Sequence, residues 1–300
     1  MNEKRVRKIS NSLLLLTALI WGIAFVAQSA GMEHVGPWTF VFTRFILAAA
    51  VLFPVSKYID RKNKKKAVKP APLRLYITGG ACCGLFLGIA SITQQAGIKY
   101  TTAGKAGFIT ALYVIFVPVL AIFLKKKPQK KIWFCVLLGL AGLYLISVKD
   151  GFSIEKGDTL VMICAIVFSM QILSVDHFSV RVPNVVKLSD IQFFFAAVVG
   201  LIGMLIFESP DISAILSAII PIAYAGILSS AVGYTLQILA QKNTDPTVAS
   251  LLMSLESVFA ALAGWLLLHQ TLSVRELIGC GIVMLAVVIA QLPSKRRDQA

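Results

Sequence analysis

The sequence predicts an all-α integral membrane protein: ten transmembrane helices forming two inverted five-helix repeats, with the N- and C-termini in the cytoplasm. Three observations carry this expectation. Ten strongly apolar stretches, each long enough to cross a bilayer, occupy most of the 300 residues. The Lys and Arg residues between them fall almost entirely on alternate loops. The polar interruption KDGFSIEKGD at 149–158 leaves five stretches on each side.

Composition excludes a soluble domain, which carries about a quarter charged residues. Here 14% are charged and 57% hydrophobic, with a mean hydropathy of +0.81. Hydrocarbon offers no partners to backbone amides, so spanning segments must be helices or strands of a closed barrel. Near-continuous apolar runs fit helices rather than alternating strands.

The first span, Leu13 to Ala30, follows a basic segment and ends in an acceptable signal-cleavage pattern. Its 18-residue run with Trp21-Gly22 suits a retained helix better. The second, Trp38 to Ser56, contains Arg44. The third, Leu75 to Ala96, has Gly80, Gly84 and Gly88 at a spacing of four. That stripe lets another helix approach closely, and Ser91 and Gln95 continue the same face. The fourth, Ala103 to Leu124, places Thr110 and Tyr113 on one face, and Pro118 is expected to break it locally. Lys105, at its outer end, is expected to snorkel. The fifth, Ile132 to Val148, has packing glycines at Gly139 and Gly142; the sixth and seventh run from Thr159 to Val175 and from Ile191 to Phe207. The eighth, Ile215 to Ala240, leads into Gln241 and carries Ser230, Tyr234, Gln237 and Gln241 at steps of four, three and four, one polar side. The ninth, Thr247 to Leu268, starts after Asp245-Pro246, an N-cap followed by a first-position proline. Ser250, Ser254 and Ser257 lie beside Glu256 in it. The tenth, Leu277 to Leu292, pairs Gly279 with Ala286 on a packing face.

The net charge of +15 comes from 29 Lys and Arg. With the N-terminus inside, 23 of these fall on cytoplasmic segments and five outside, leaving Arg44 within a span. This is the positive-inside pattern, and the run from Arg61 to Lys69 suits an anionic leaflet; nothing is left for nucleic acid to explain. Cys82, Cys83, Cys135, Cys164 and Cys280 all lie in apolar spans without CxxC spacing and are read as small core residues. His34, His177 and His269 lie at membrane edges and form no cluster. No metal site and no cofactor are expected.

Five is odd, so a duplicated five-helix unit inserts upside down. Eight basic residues between spans two and three face none between spans seven and eight; five lysines between spans four and five face Arg275 alone between nine and ten. The expected organisation is a first repeat over 1–148, an extracytoplasmic linker over 149–158 and a second repeat over 159–300. Sequence similarity between the halves is weak: Thr-Ala-Leu-Ile-Trp-Gly at 17–22 lies over Cys-Ala-Ile-Val-Phe-Ser at 164–169, and Arg44-Phe45 over Gln192-Phe193. Inverted repeats place a substrate site near the midplane, between halves that rock.

The strongest individual signals are Arg44 and Glu256. An ionisable group at such depth costs about 2.5 to 3.5 kcal/mol on insertion scales and normally faces the bundle with a partner. Each has a structural reading as a hydrogen-bonding hub and a functional one: Arg44 as an anchor for an anionic group, Glu256 as a cation-binding or proton-titrating group.

Over nearly its whole length the chain resembles the EamA-type transporters of the drug/metabolite transporter superfamily. The resembling pieces are Ala18-Leu19-Ile20-Trp21-Gly22, Arg44, AGKAGFITALYVIFVPVLAIFL at 103–124 and LESVFAALAGWLLLHQTLSVRELIGCGIVMLAVVIA at 255–290. Family members commonly have Glu-Pro where this chain has Glu256-Ser257, so the kink of the ninth span is in question. They also often have an acid after the fourth and ninth spans, where this chain has Lys125 to Lys127 and His269-Gln270. The resemblance implies a carrier, not an enzyme, for small organic metabolites, often amino acids or related compounds and frequently exported. On this basis the site is assigned to Trp21, Arg44, Gln95, Tyr113, Tyr234, Gln237 and Glu256. Trp21 and Tyr113 pack against the solute, the glutamines orient it, Arg44 engages a carboxylate or supports the cavity, and Glu256 carries a proton if transport is coupled. The expected setting is a bacterial cytoplasmic membrane, with the lipid bilayer and a small-molecule substrate as partners and homo-oligomerisation left open. A flippase for lipid-linked substrates and a passive facilitator or channel are the alternatives.

Overall fold

The computed structural model describes residues 3–101, 103–125, 128–147, 156–268 and 273–292. Most of the 149–158 linker, Lys126 and Lys127, His269-Gln270 and the basic residues Lys295 to Arg297 lie outside them. Among the described residues the chain is helical, without a strand, and nine helices are long and apolar enough to cross a membrane.

Helix α1 is Glu3–Gly31, α2 Pro37–Lys65 and α3 Leu73–Ile98. Helix α4 comprises Ala103–Ala111 and Tyr113–Phe123, with a turn at Leu112 between them. Helix α5 is Lys130–Ser147, α6 Lys156–Ser179 and α7 Val185–Phe207. After a short helix at Ile212–Ser217, α8 runs over Ile219–Gln241, and its middle, Tyr224–Tyr234, is a π-helix. Helix α9 comprises Pro246–Met253 and Glu256–Leu268; α10 is Val274–Gln291. Helix α5, which starts with Lys130 and Lys131, is not among those nine. The first turn of α6 takes in Lys156 to Asp158, which the sequence reading had placed in the linker.

Burial is reversed relative to a soluble protein. Arg44, Gln95, Gln171, Gln192, Gln237 and Glu256 are inside, whereas Phe123, Leu137, Leu205 and Ile220 are exposed. An apolar exterior around polar contacts is stable only with lipid outside. This is a multi-pass membrane protein.

Packing follows the small residues. Helix α2 lies along α7, α3 along both α6 and α7, α5 along α10, and α1 along α8 and α9. The glycine stripe of α3 finds its partner in α7: a Cβ on Gly84 would meet the backbone oxygen of Gln192 at 2.4 Å. Gly142 and Gly279 do the same for α5 and α10, each bringing its missing Cβ within 2.8 Å of the other's carbonyl oxygen.

Polar groups fasten α2 to α7 at both ends. Where α2 starts, the Glu208 carboxylate accepts from the amides of Trp38 and Thr39, at 2.9 and 2.8 Å, and from the Thr39 hydroxyl. An anion at a helix N-terminus satisfies free N–H groups and opposes the dipole. Where α7 starts, Asn184 caps it and donates through Nδ2 to the Ser56 carbonyl and to Asp60. Lys187 pairs with Asp60 at 2.9 Å. Lys105, expected to snorkel, instead binds Asp158 at 2.6 Å and ties the start of α4 to the start of α6. The N-terminal segment and the end of α10 share one end of the bundle, where Arg7 donates to the Gln291 carbonyl. That end carries the basic loops.

Candidate functional site

Three interrupted helices meet at the centre. In α4 the proline ring at 118 crowds the carbonyl of the residue four earlier. The helix nevertheless runs through Pro118, so the expected break is absent there, and the chain is interrupted instead at Leu112, six residues upstream. In α9, Ser250 and Ser254 donate their hydroxyls back to the carbonyls of Thr247 and Leu251. This competes with helical bonding and bends helices. Leu255 and Ser257 bond three residues back instead of four, so α9 breaks before Glu256 without the family's proline. In α8 the π-helix leaves carbonyls open to other donors: Trp21 Nε1 donates to Ser229 O at 3.1 Å and Thr17 Oγ1 to Gly233 O at 3.3 Å. Gly233 is needed there, because a Cβ would lie 2.7 Å from the Trp21 nitrogen. The Asp245-Pro246 start of α9 is as expected, with Asp245 accepting from the Thr247 amide at 2.9 Å.

Around these breaks lies a cavity of about 20 Å³ bounded by Trp21, Gln28, Arg44, Thr110, Phe168, Tyr234 and Glu256, among others. That volume admits a single water. An organic solute therefore enters only if the helices part.

Arg44 is 2% exposed. Its Nε donates to Ser230 Oγ at 3.2 Å and its Nη1 to Gln28 Oε1 at 3.3 Å, and the guanidinium sits 4.8 Å from the centre of the Phe45 ring. Those partners are neutral. Glu256, 3% exposed, starts the second segment of α9, and its Oε1 has no hydrogen-bond partner among the described residues. No ion pair joins Arg44 to Glu256 among the described residues, although both bound the same cavity. The rings of Trp21, Phe168 and Tyr234 form its apolar wall: Trp21 lies 4.6 Å from Tyr234, and Phe168 lies 5.9 Å from Trp21 and 6.0 Å from Tyr234. No group of three His, Cys, Asp or Glu suited to a metal occurs among the described residues.

Of the seven residues assigned from sequence, Trp21, Arg44, Tyr234 and Glu256 bound the cavity. Tyr113 is fully buried one ring behind, stacked 6.0 Å from Phe168, and its hydroxyl lies beside the Glu256 carboxyl without a well-formed hydrogen bond to it. Gln95 holds the Gln28 carbonyl through Nε2 at 3.1 Å. Gln237 lies apart, in contact with Gln171. Sequence reasoning missed Gln28, Gln94, Phe168 and Ser229. The two glutamines were legible as amides within apolar runs; the phenylalanine and the serine carbonyl gave no such signal.

The model of the EamA-like transporter family matches residues 8–148 and again 155–291. The chain belongs to the EamA-like transporter family. It is a membrane transporter of the drug/metabolite transporter superfamily, a class whose cargo is small molecules. An uncharacterized transporter of Archaeoglobus fulgidus is 30% identical over 284 residues, covering 93% of this chain and 84% of its own. The uncharacterized transporter YoaV of Bacillus subtilis is 25% identical, covering 90% and 94%. A chloroplastic WAT1-related protein of Arabidopsis thaliana is 26% identical, covering 94% and 69%. A solved crystal structure shares the fold with a TM-score of 0.75 at 18% identity, covering 94% of this chain and 98% of that one.

Proposed function

We propose that this EamA-type protein is an alternating-access carrier for small organic metabolites bearing both a carboxylate and an amine, such as amino acids, and that it exports them. The observation that carries the reading is a buried arginine and a buried glutamate that bound one cavity without an ion pair between them among the described residues. Leaving two charges uncompensated in a membrane interior is costly. A zwitterion offsets that cost for both at once, its carboxylate at Arg44 and its ammonium at Glu256, with its apolar part against Trp21, Phe168 and Tyr234.

The remaining architecture is part of the proposal. Ten spans form two inverted five-helix repeats, with both termini and the basic loops cytoplasmic in a bacterial cell membrane. Two consecutive family matches support this, as does a pairing of helices that survives exchange of the halves: α2 with α7, α5 with α10, and α3 with α6 as α8 with α1. The closed centre favours a carrier over an open channel. When the solute is absent, Glu256 can take a proton, which would couple export to proton entry.

The test is transport by purified protein in vesicles, screened across amino acids, purine metabolites and cationic drugs with and without a pH gradient. Saturable, counterflow-competent movement of zwitterions is expected, and Arg44→Gln should abolish it. Glu256→Gln is expected to lose accumulation driven by a pH difference. If that variant still accumulates substrate against its gradient, Glu256 is not the proton carrier. Flux without saturation would instead identify a facilitator or channel, and movement of lipid a flippase.

A further inference from the structure

Gln171 of α6, Gln192 of α7 and Gln237 of α8 are all 0% exposed and form a chain of side-chain amides. Gln237 Nε2 donates to Gln171 Oε1 at 3.3 Å, and Gln171 Nε2 donates to Gln192 Oε1 at 3.1 Å. The chain is open at both ends: among the described residues Gln192 Nε2 and Gln237 Oε1 have no hydrogen-bond partner. Turning all three amides over would exchange the free donor and the free acceptor but remove neither. If the three residues served only to pack helices, apolar side chains would do so without stranding polar atoms.

Their place in the fold explains the open ends. In the first half, Arg44 of α2 donates to the Gln28 side chain of α1, and Gln95 of α3 donates to the Gln28 carbonyl. On the inverted-repeat reading, α6, α7 and α8 are the counterparts of α1, α2 and α3. Arg44 and Gln192 are each the eighth residue of their helix, one near the end away from the basic loops and the other near the basic end. Gln241, one turn beyond Gln237, bounds a vestibule of about 470 Å³ formed with Asp176, Lys242, Asn243 and Thr247 at the basic end. One helical turn is about 5.4 Å, so the amide chain lies directly behind the vestibule floor.

We infer that Gln171, Gln192 and Gln237 form a second solute station, the uncharged counterpart of the Arg44 station, between the central cavity and this vestibule. It takes a neutral group that both donates and accepts, such as a carboxamide. It offers a carboxylate no ion pair, because glutamine stands where the other half has arginine. The inference rests on the carrier reading above. A solute gripped by charge at one station therefore crosses the other on hydrogen bonds alone, which keeps it from being trapped on that side of the barrier.

The test is accessibility of a cysteine at the station to a membrane-impermeant thiol reagent, applied to right-side-out and everted vesicles containing full-length Gln192→Cys or Gln237→Cys. The parent chain, whose cysteines are buried or half-buried, sets the background. Labelling is expected from the basic end only, slowed about tenfold by benzamide and unchanged by benzoate, a factor equal to 1.4 kcal/mol of differential binding. No labelling from either side of a folded variant would make the chain a packing element and overturn the inference. So would labelling that benzamide does not slow. Should the cysteine variants not fold, thermal shift by benzamide is compared between the parent and Gln192→Met, which keeps the volume; an equal shift in both overturns it. These readouts need no transport, so a failure of the carrier reading, with no solute moved by the parent, is seen separately.

Discussion

The α2–α7 pair and the α4–α9 pair both bring the two halves of the chain together, but the polar groups at the ends of the first and at the breaks of the second are treated in opposite ways. Along α2 and α7 the helix ends are met by side chains: Glu208 on the first turn of α2, and Asn184 with Asp60 and Lys187 at the start of α7. In α4 and α9 the helices are interrupted at mid-length, and the groups at the breaks, the Tyr113 hydroxyl and the Glu256 carboxyl, lie beside each other without a well-formed hydrogen bond. Satisfied polar groups hold a frame, while open ones wait for something else to satisfy them. Changes in the frame should therefore lower stability without altering selectivity. Changes at the interruptions should do the reverse.

The largest loss is expected where a glycine comes closest to the backbone of another helix. Gly84→Val puts a branched side chain where a Cβ alone would come within 2.4 Å of the Gln192 carbonyl oxygen. Backbone cannot yield as a side-chain tip can, so α3 and α7 must separate, at a cost of about 3 kcal/mol. Thermal unfolding in detergent should show a large fall in Tm; an unchanged Tm would remove α3–α7 from the frame. Glu208→Ala comes next. It strips three hydrogen bonds from the start of α2, two of them to amides left free by the helix terminus, and should cost about 2 kcal/mol. Asn184→Ala removes one cap and should cost about 1 kcal/mol. If either of the last two changed the ranking of transported solutes with Tm unaltered, the contrast between frame and site would fail.

The parts of this arrangement that sequence reveals are those set by one helix at a time. Ten apolar runs, the loop charges and the glycine stripe of α3 follow from what lipid and close packing demand of each segment. Arg44 and Glu256 stand out because a charge in an apolar run is rare whatever surrounds it. What stays hidden depends on partners. Gln171 and Gln192 are unremarkable singly and become a chain only when α6 and α7 meet; the Ser229 carbonyl matters only because a π-helix frees it. Lys105 looks like a snorkelling residue until Asp158 is brought within 2.6 Å. The expectation about Pro118 does not hold, since the helix runs through it and is interrupted at Leu112, six residues earlier.

The ninth span tests the contrast most finely, because here the family's usual proline is absent and the break remains. Ser254 and Ser250 bend α9 from behind, and Ser257 fastens the break to α4 by donating to the Gly107 carbonyl at 3.1 Å. Ser257→Pro would remove that bond and the Ser257 amide, whose own bond to Ser254 O is a stretched 3.2 Å. It would also fix the backbone in a conformation suited to a helix start. These effects oppose each other, and the net change in stability should be less than about 1 kcal/mol, with transport retained. Ala260→Pro, one turn later, falls in regular helix and should cost about 3 kcal/mol. If the two prolines destabilised the protein equally, the segment before Glu256 would be ordinary helix and the serines would not be the cause of its break.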